Sequence, residues 1–328
     1  PSAGRDVREL HDPPWRAPAG DVGLQQRGRA RGRRFQDGLG DDRQASLREA
    51  ERQKLFKRTA PDLTNSEAGA AVQEGLTANL ERADDTVRAL AKRAFVGGEN
   101  LRTGPAKTAI GTAEYQFTKD GSVTLEPKFK KLIDNFRALG PRVDLQTLHN
   151  YRSKFGKWAN PGKLATTEEK EMASIANQMR KAVDNSLEKA IQAGELPRSQ
   201  GNAYLKMIST DRLKREVFHQ SVAGDVLKKE GNRFKVPASE APFKALNTPE
   251  DAKEMMTALG PHIPGKDGMR AALMNHVLEK STNAQTGEFI PNSFARQIRS
   301  IRSVAPEILT AKQQRALDVI GKDLISQG

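Results

Sequence analysis

A chain of 328 residues has the length of two or three domains, but with 36% hydrophobic and 5% aromatic residues it supplies only a thin core for a globule of that size. Fifty-four Lys and Arg against 41 Asp and Glu give a net charge of +13 and a pI near 9.9, a field that draws polyanions or anionic lipid. The lack of cysteine excludes disulfides and thiolate metal sites, no run of about 18 apolar residues is present to span a bilayer, and the N-terminus has no apolar signal-peptide core.

Residues 1–40 hold Pro13, Pro14 and Pro18, many glycines and the run Arg27-Gly28-Arg29-Ala30-Arg31-Gly32-Arg33-Arg34. This composition cannot bury a core and reads as an extended Arg/Pro/Gly-rich arm that a partner surface would order. The start at Pro1 instead of Met reads as processing or as a piece of a longer polypeptide. From Asp42 to Arg58 strong helix formers of mixed charge predict a helix that Pro61 ends. Thr64, Asn65, Ser66 and Glu67 form a capping-box signature, and Ala68, Val72, Leu76, Leu80, Ala83, Val87, Leu90 and Ala94 recur at spacings of three and four. A long helix therefore completes a helical segment over 41–100, and its narrow Ala-rich stripe predicts close packing on a neighbour.

Gly97 and Gly98 stop that helix, and 101–125 reads as a loop in which Tyr115, Phe117, Asp120-Gly121, Val123 and Leu125 alternate like a β-hairpin. A helical bundle is expected over 126–230. Its helices run from Pro127 to Leu139, along the stripe Leu145, Leu148, Tyr151, Phe155 and Trp158, from about Thr166 to Ala193, and over about 198–230. Pro237, Pro242 and Pro249 mark 231–249 as a linker, and 250–328 reads as a C-terminal domain of short helices at about 250–259, 267–281, 292–303 and 311–326. The expected fold is mainly all-α, an elongated multi-helix bundle with short helices at its C-terminal end and at most one small β-hairpin near 114–125.

Residues with catalytic potential are scattered. His11, His149, His219, His262 and His276 stand singly, outside any metal-ligand spacing, and no Gly-x-Ser-x-Gly elbow is present. The stretch from Gly260 to Asp267 approaches phosphate-loop spacing, but Asp267 would repel phosphate and Pro261 and Pro264 remove two backbone donors, so it reads as a turn between helices. Adjacent acids such as Asp84-Asp85 and Glu168-Glu169 point different ways on a helix. No catalytic residue, metal site or cofactor is expected, and the chain reads as a binding or structural protein instead of an enzyme.

Basic segments carry more information. Residues 126–164 hold nine Lys or Arg against three acids, interleaved with Phe129, Phe136, Tyr151, Phe155 and Trp158. Candidate contacts to nucleic acid or to an acidic partner are Arg27, Arg29, Arg31, Arg33 and Arg34 in the arm and Lys128, Lys130, Lys131, Arg152, Lys154 and Lys157 in the bundle, with Tyr151 and Trp158 as stacking candidates. The competing reading makes the aromatics core and the charges solvated.

Four segments add a likeness: Val143-Asp-Leu-Gln-Thr-Leu-His-Asn-Tyr-Arg-Ser-Lys-Phe-Gly156, Met179-Arg-Lys-Ala-Val-Asp-Asn-Ser-Leu187, Ala245-Leu-Asn-Thr-Pro-Glu-Asp-Ala252 and Gly287-Glu-Phe-Ile-Pro-Asn-Ser-Phe294. In their helical setting over 126–326 they resemble internal virion or DNA-ejection proteins of short-tailed bacteriophages. That resemblance implies a non-enzymatic helical protein, often processed, carried inside the capsid or at the portal and tail, and delivered to the host cell envelope to help form a conduit for DNA. It further implies a homo-oligomer, as a ring or tube, touching portal, tail or other ejection proteins and DNA, with membrane contact after ejection and no small-molecule substrate. Residues 1–60 do not share it, and no catalytic residue of the family maps here. The alternatives are a sequence-independent nucleic-acid-binding protein and a non-catalytic domain of a larger phage polyprotein enzyme.

Overall fold

The structure, a computed structural model, describes residues 41–98, 101–119, 125–160 and 166–326, with side chains from Ser46 onward. In chain order its elements are α1 (Asp41–Thr59), α2 (Asn65–Ala94), β1 (Leu101–Arg102), α3 (Gly104–Thr118), α4 (Pro127–Arg137), β2 (Arg142–Val143), α5 (Leu145–Trp158), α6 (Thr167–Gln192) and α7 (Arg198–Phe218). There follow α8 (Val222–Leu227), β3 (Lys229–Glu230), β4 (Arg233–Phe234), α9 (Pro249–Leu259), α10 (Ile263–Ser281), α11 (Pro291–Ile301), α12 (Ala305–Ile308) and α13 (Ala311–Ile325). The fold is mainly all-α. Its only strands among the described residues are two antiparallel pairs, β1 on β2 with Leu101 opposite Val143, and β3 on β4 with Lys229 opposite Phe234.

Two compact units divide the chain, one of described residues up to Asp85 with those from Thr210 on, the other of Thr86–Ser209. The divisions fall inside α2 and α7 because each helix serves two cores. Val72, Leu76 and Ala83 of α2 and Phe218 of α7 join a core with Phe56, Met255, Leu273 and Leu317, whereas Leu90 and Ala94 of α2 and Tyr204 and Met207 of α7 join one with Phe129, Phe136, Phe155 and Val183. Expected boundaries near residues 100 and 230 are corrected accordingly.

Three further expectations are corrected. The hairpin near 114–125 is not formed where it is described: Tyr115 and Phe117 lie on α3, whose buried Ala106, Ile110 and Ala113 follow helical spacing; residues 120–124 fall outside the described residues. The stretch 231–249 is no linker, since Ala241, Pro242 and Ala245 are buried, Ala241 and Ala245 within the first unit's core, and two 3-10 turns, Ala238–Glu240 and Pro242–Ala245, fold it there. The helix predicted over 198–230 is interrupted after Phe218, where Ser221 caps a separate α8.

Helix ends follow local chemistry. Thr166 and Glu169 form a reciprocal capping box at the start of α6, as do Thr310 and Gln313 at α13, and Asp144 accepts from the Thr147 amide at α5. Between α9 and α10, Gly260 takes φ +47° and His262 Nδ1 accepts from the Gly265 amide at 3.0 Å. The 260–267 stretch is thus a capped helix junction in which a donor that a phosphate loop would use is already engaged.

Within the first unit, small residues bring α2 and α10 into backbone proximity. A Cβ on Gly268 would lie 2.3 Å from the Ala68 carbonyl oxygen, and one on Gly69 only 1.5 Å from that of Ala238. Ala68, Ala271 and Ala272 fill the seam completely buried.

An ion-pair group in the same unit sets an acid dependence. Lys214 Nζ lies 2.9 Å from Asp84 Oδ1 and 3.2 Å from Asp211 Oδ1, and Arg215 pairs with Asp211 one turn away. Burial alone would push the Asp211 carboxyl up, but the Arg215 guanidinium and the hydrogen bonds from Lys214 and Arg215 outweigh it and hold it below its ordinary value of 3.8. A depressed carboxylate stabilises the fold above its unfolded value, and that contribution disappears as pH falls through the folded one. Asp211→Asn should therefore lower the urea midpoint at pH 7 while flattening its decline below about pH 4; an unchanged acid limb would show that Asp211 does not report folding.

Candidate nucleic-acid interface

The basic stretch of 126–160 lies in the second unit on α4 and α5. Phe129, Ile133 and Phe136 bury one side of α4, and Leu145, Leu148 and Phe155 one side of α5. Ring contacts join the helices: Phe129 and Phe136 meet Phe155 edge-on at centroid distances of 6.4 and 5.9 Å. With these apolar stripes turned inward, the lysines between them are left outward.

Lys128, Lys130 and Lys131 on α4 and Lys154 and Lys157 on α5 are all exposed and form no ion pair among the described residues. Lys128 and Lys131 stand one turn apart, as do Lys154 and Lys157, so two lysine rows border the same helix pair. Lys154 Nζ sits 5.0 Å above the Tyr151 ring, which leaves its charge in solvent. Acids interrupt the face: Asp134 is exposed on α4, and Glu126 and Glu169 share with Lys157 and Trp158 the lining of a cleft of about 270 Å³.

Two arginines of this stretch, the candidate Arg152 and, on α4, Arg137, have structural work. Arg152 is half-buried and paired with Asp184 of α6, and Arg137 is paired with Glu114 of α3. The Arg152–Asp184 pair neighbours a ring group in which His149 stands 5.8 Å from Tyr204 and 5.3 Å from Phe95, and burial pushes the Tyr204 hydroxyl far above its ordinary range. Tyr151 meets Phe136 edge-on at 5.1 Å and Trp158 tilts against Phe129 at 5.1 Å, both half-buried on the core. The stacking candidates are thus committed to the core, which leaves five lysines as the open cationic groups. The arm residues Arg27, Arg29, Arg31, Arg33 and Arg34 lie outside the described residues.

Among the described residues no group of three or more His, Asp or Glu is placed to hold a metal ion, and no helix is long and apolar enough to cross a membrane. No protein-family model, curated protein or solved structure matches this chain. One surface, the groove between α11 and α13, had a single signal in the sequence, the strong amphipathic pattern of Phe294, Ile298 and Ile301.

Proposed function

We propose that this chain is a non-enzymatic structural virion protein of the internal, DNA-ejection kind, which holds DNA by its phosphates through the lysine rows of α4 and α5. The observation that carries the DNA-binding part is five exposed lysines on one helix pair of the second unit that form no ion pair among the described residues. Ammonium groups in solvent, without carboxylate partners, exchange their counterions for phosphates and bind independently of sequence. The same chemistry suits a protein that lets DNA slide past it, since no base is read. The virion setting rests on the resemblance of residues 126–326 to ejection proteins of short-tailed phages, and with it come a homo-oligomer, contacts to portal, tail or other ejection proteins, and delivery to the host envelope.

Particles test the setting. Mass spectrometry of purified phage should find the chain in full virions and lose it from particles that have ejected their DNA. Retention in emptied particles would make it a fixed capsid or connector part, and absence from full virions would leave a free nucleic-acid-binding protein.

A further inference from the structure

We propose that the groove between α11 and α13 in the first unit is a docking site for an amphipathic helix with acidic flanks, supplied by another protein. Two depressions of about 490 and 260 Å³ lie along the α11–α13 pair and share Ile298, Leu317 and Asp318 in their walls, so they adjoin along one groove. Its floor is apolar: Phe294 and Ile298 from α11 face Leu317 from α13, and Ile325 closes one end with 71% of its surface exposed. Gly321 opens the middle, because α13 presents no side chain there and a Cβ would meet nothing closer than Phe294 Cε1 at 3.5 Å. Paired helices with a gap in their ridge offer the shape that takes a third helix, anchored by side chains one turn apart.

Charge selects the occupant. On the α11 side the walls carry Arg299 and Arg302 and no acid among the described residues. On the facing helix Lys322 borders the channel, and of its two acids Asp323 is paired with Arg52, which leaves Asp318 as the only acid of the channel wall among the described residues. A rim of this sign attracts glutamate or aspartate flanks, and repels basic ones. The channel's apolar floor separates it from the lysine rows of the second unit, since a nucleic-acid backbone would gain nothing from burying Ile298 and Ile325.

This chain does not supply the helix itself. Residues 1–40 carry eight arginines against five acids, the same sign as the rim. The acidic helix α9, with Glu250, Asp251 and Glu254, already buries Ala252, Met255 and Leu259 in the first unit's core, so its apolar face is taken. A helix from a different, acidic protein satisfies both the floor and the rim.

Fluorescence anisotropy of the full chain with two labelled helical peptides tests this. Both carry leucine at one-turn spacing; one has glutamate flanks and the other lysine flanks. The glutamate peptide should bind at least tenfold more tightly at low salt, and Arg299→Glu with Lys322→Glu should reverse the preference. Gly321→Leu should abolish binding of both peptides without loss of helicity, since it fills the channel while raising helix propensity. Equal binding of the two peptides, or an unaffected Gly321→Leu variant, would overturn the proposal. So would concentration-dependent self-association in sedimentation that Ile325→Glu removes, because the occupant would then be a second copy, and so would tighter binding of a DNA duplex than of the peptide that Gly321→Leu blocks.

Discussion

Gly69→Ala is expected to destabilise the first unit by about 3 kcal/mol or more, enough to remove a large part of the stability of an ordinary domain. In an unobstructed helix the same change would gain about 1 kcal/mol from propensity. Here the sign reverses, because the new methyl would stand 1.5 Å from the Ala238 carbonyl oxygen, a backbone atom that cannot rotate aside. Gly268→Ala should act alike, with its Cβ 2.3 Å from the Ala68 oxygen on the other side of the seam. Gly156→Ala provides the contrast: it lies in the last turn of α5 where the nearest atom is Arg180 Cδ at 3.5 Å, an ordinary van der Waals contact, so stability should rise by roughly 0.5–1 kcal/mol. Urea titrations of the three variants measure this directly. A Gly69→Ala protein as stable as the parent would mean that α2 does not approach the 238–245 turns as described.

The consequence for the architecture is that a glycine seam beside the first unit's apolar core brings α2 close to α10 and to the 238–245 turns, where backbone proximity multiplies contacts between small residues.

Helices with strong ends were legible in the amino-acid order. Thr166 with Glu169 and the stripe Met179, Val183, Leu187 located α6 to within a residue, because a capping box and a 3.6-residue period are local signals. The failures have an equally local cause. In α3 two of the three buried residues are alanines, Ala106 and Ala113, while the bulky Tyr115 is 67% exposed, so hydrophobicity marked the wrong face and suggested a hairpin. Prolines 237, 242 and 249 suggested a linker, yet proline fits the first position of a helical turn, and Pro242 and Pro249 occupy such positions.

The candidate interface was legible in its lysines and not in its limits. Arg152 has the same charge as Lys154 two residues on, and what separates them is Asp184, 32 positions away on α6. Tyr151 and Trp158 likewise could not be sorted between stacking platform and core until Phe136 and Phe129 were placed against them. Long-range partners of this kind leave no periodicity to read. The acidic-helix channel was hidden for a related reason: the stripe of α11 announces an apolar face, but only the packing of α13 and the gap at Gly321 determine how much of it stays uncovered.

The DNA-holding claim rests on five side chains and can be tested by removing their charge together. Lys128, Lys130, Lys131, Lys154 and Lys157 are exposed, so changing all five to Gln should cost little stability, about 0.5 kcal/mol or less at each. Each phosphate contact contributes about 0.9 to the slope of log affinity against log salt on duplex DNA, so five contacts steepen it by about 4.5. Between 50 and 200 mM salt the parent should therefore lose roughly 500-fold more affinity than the five-glutamine variant. The deciding measurement is this pair of salt titrations, made by fluorescence anisotropy on one labelled duplex with both proteins shown to be folded. A slope shallower by about 4 to 5 in the variant is the expected result, and parallel lines for parent and variant would contradict DNA binding by the α4–α5 lysines.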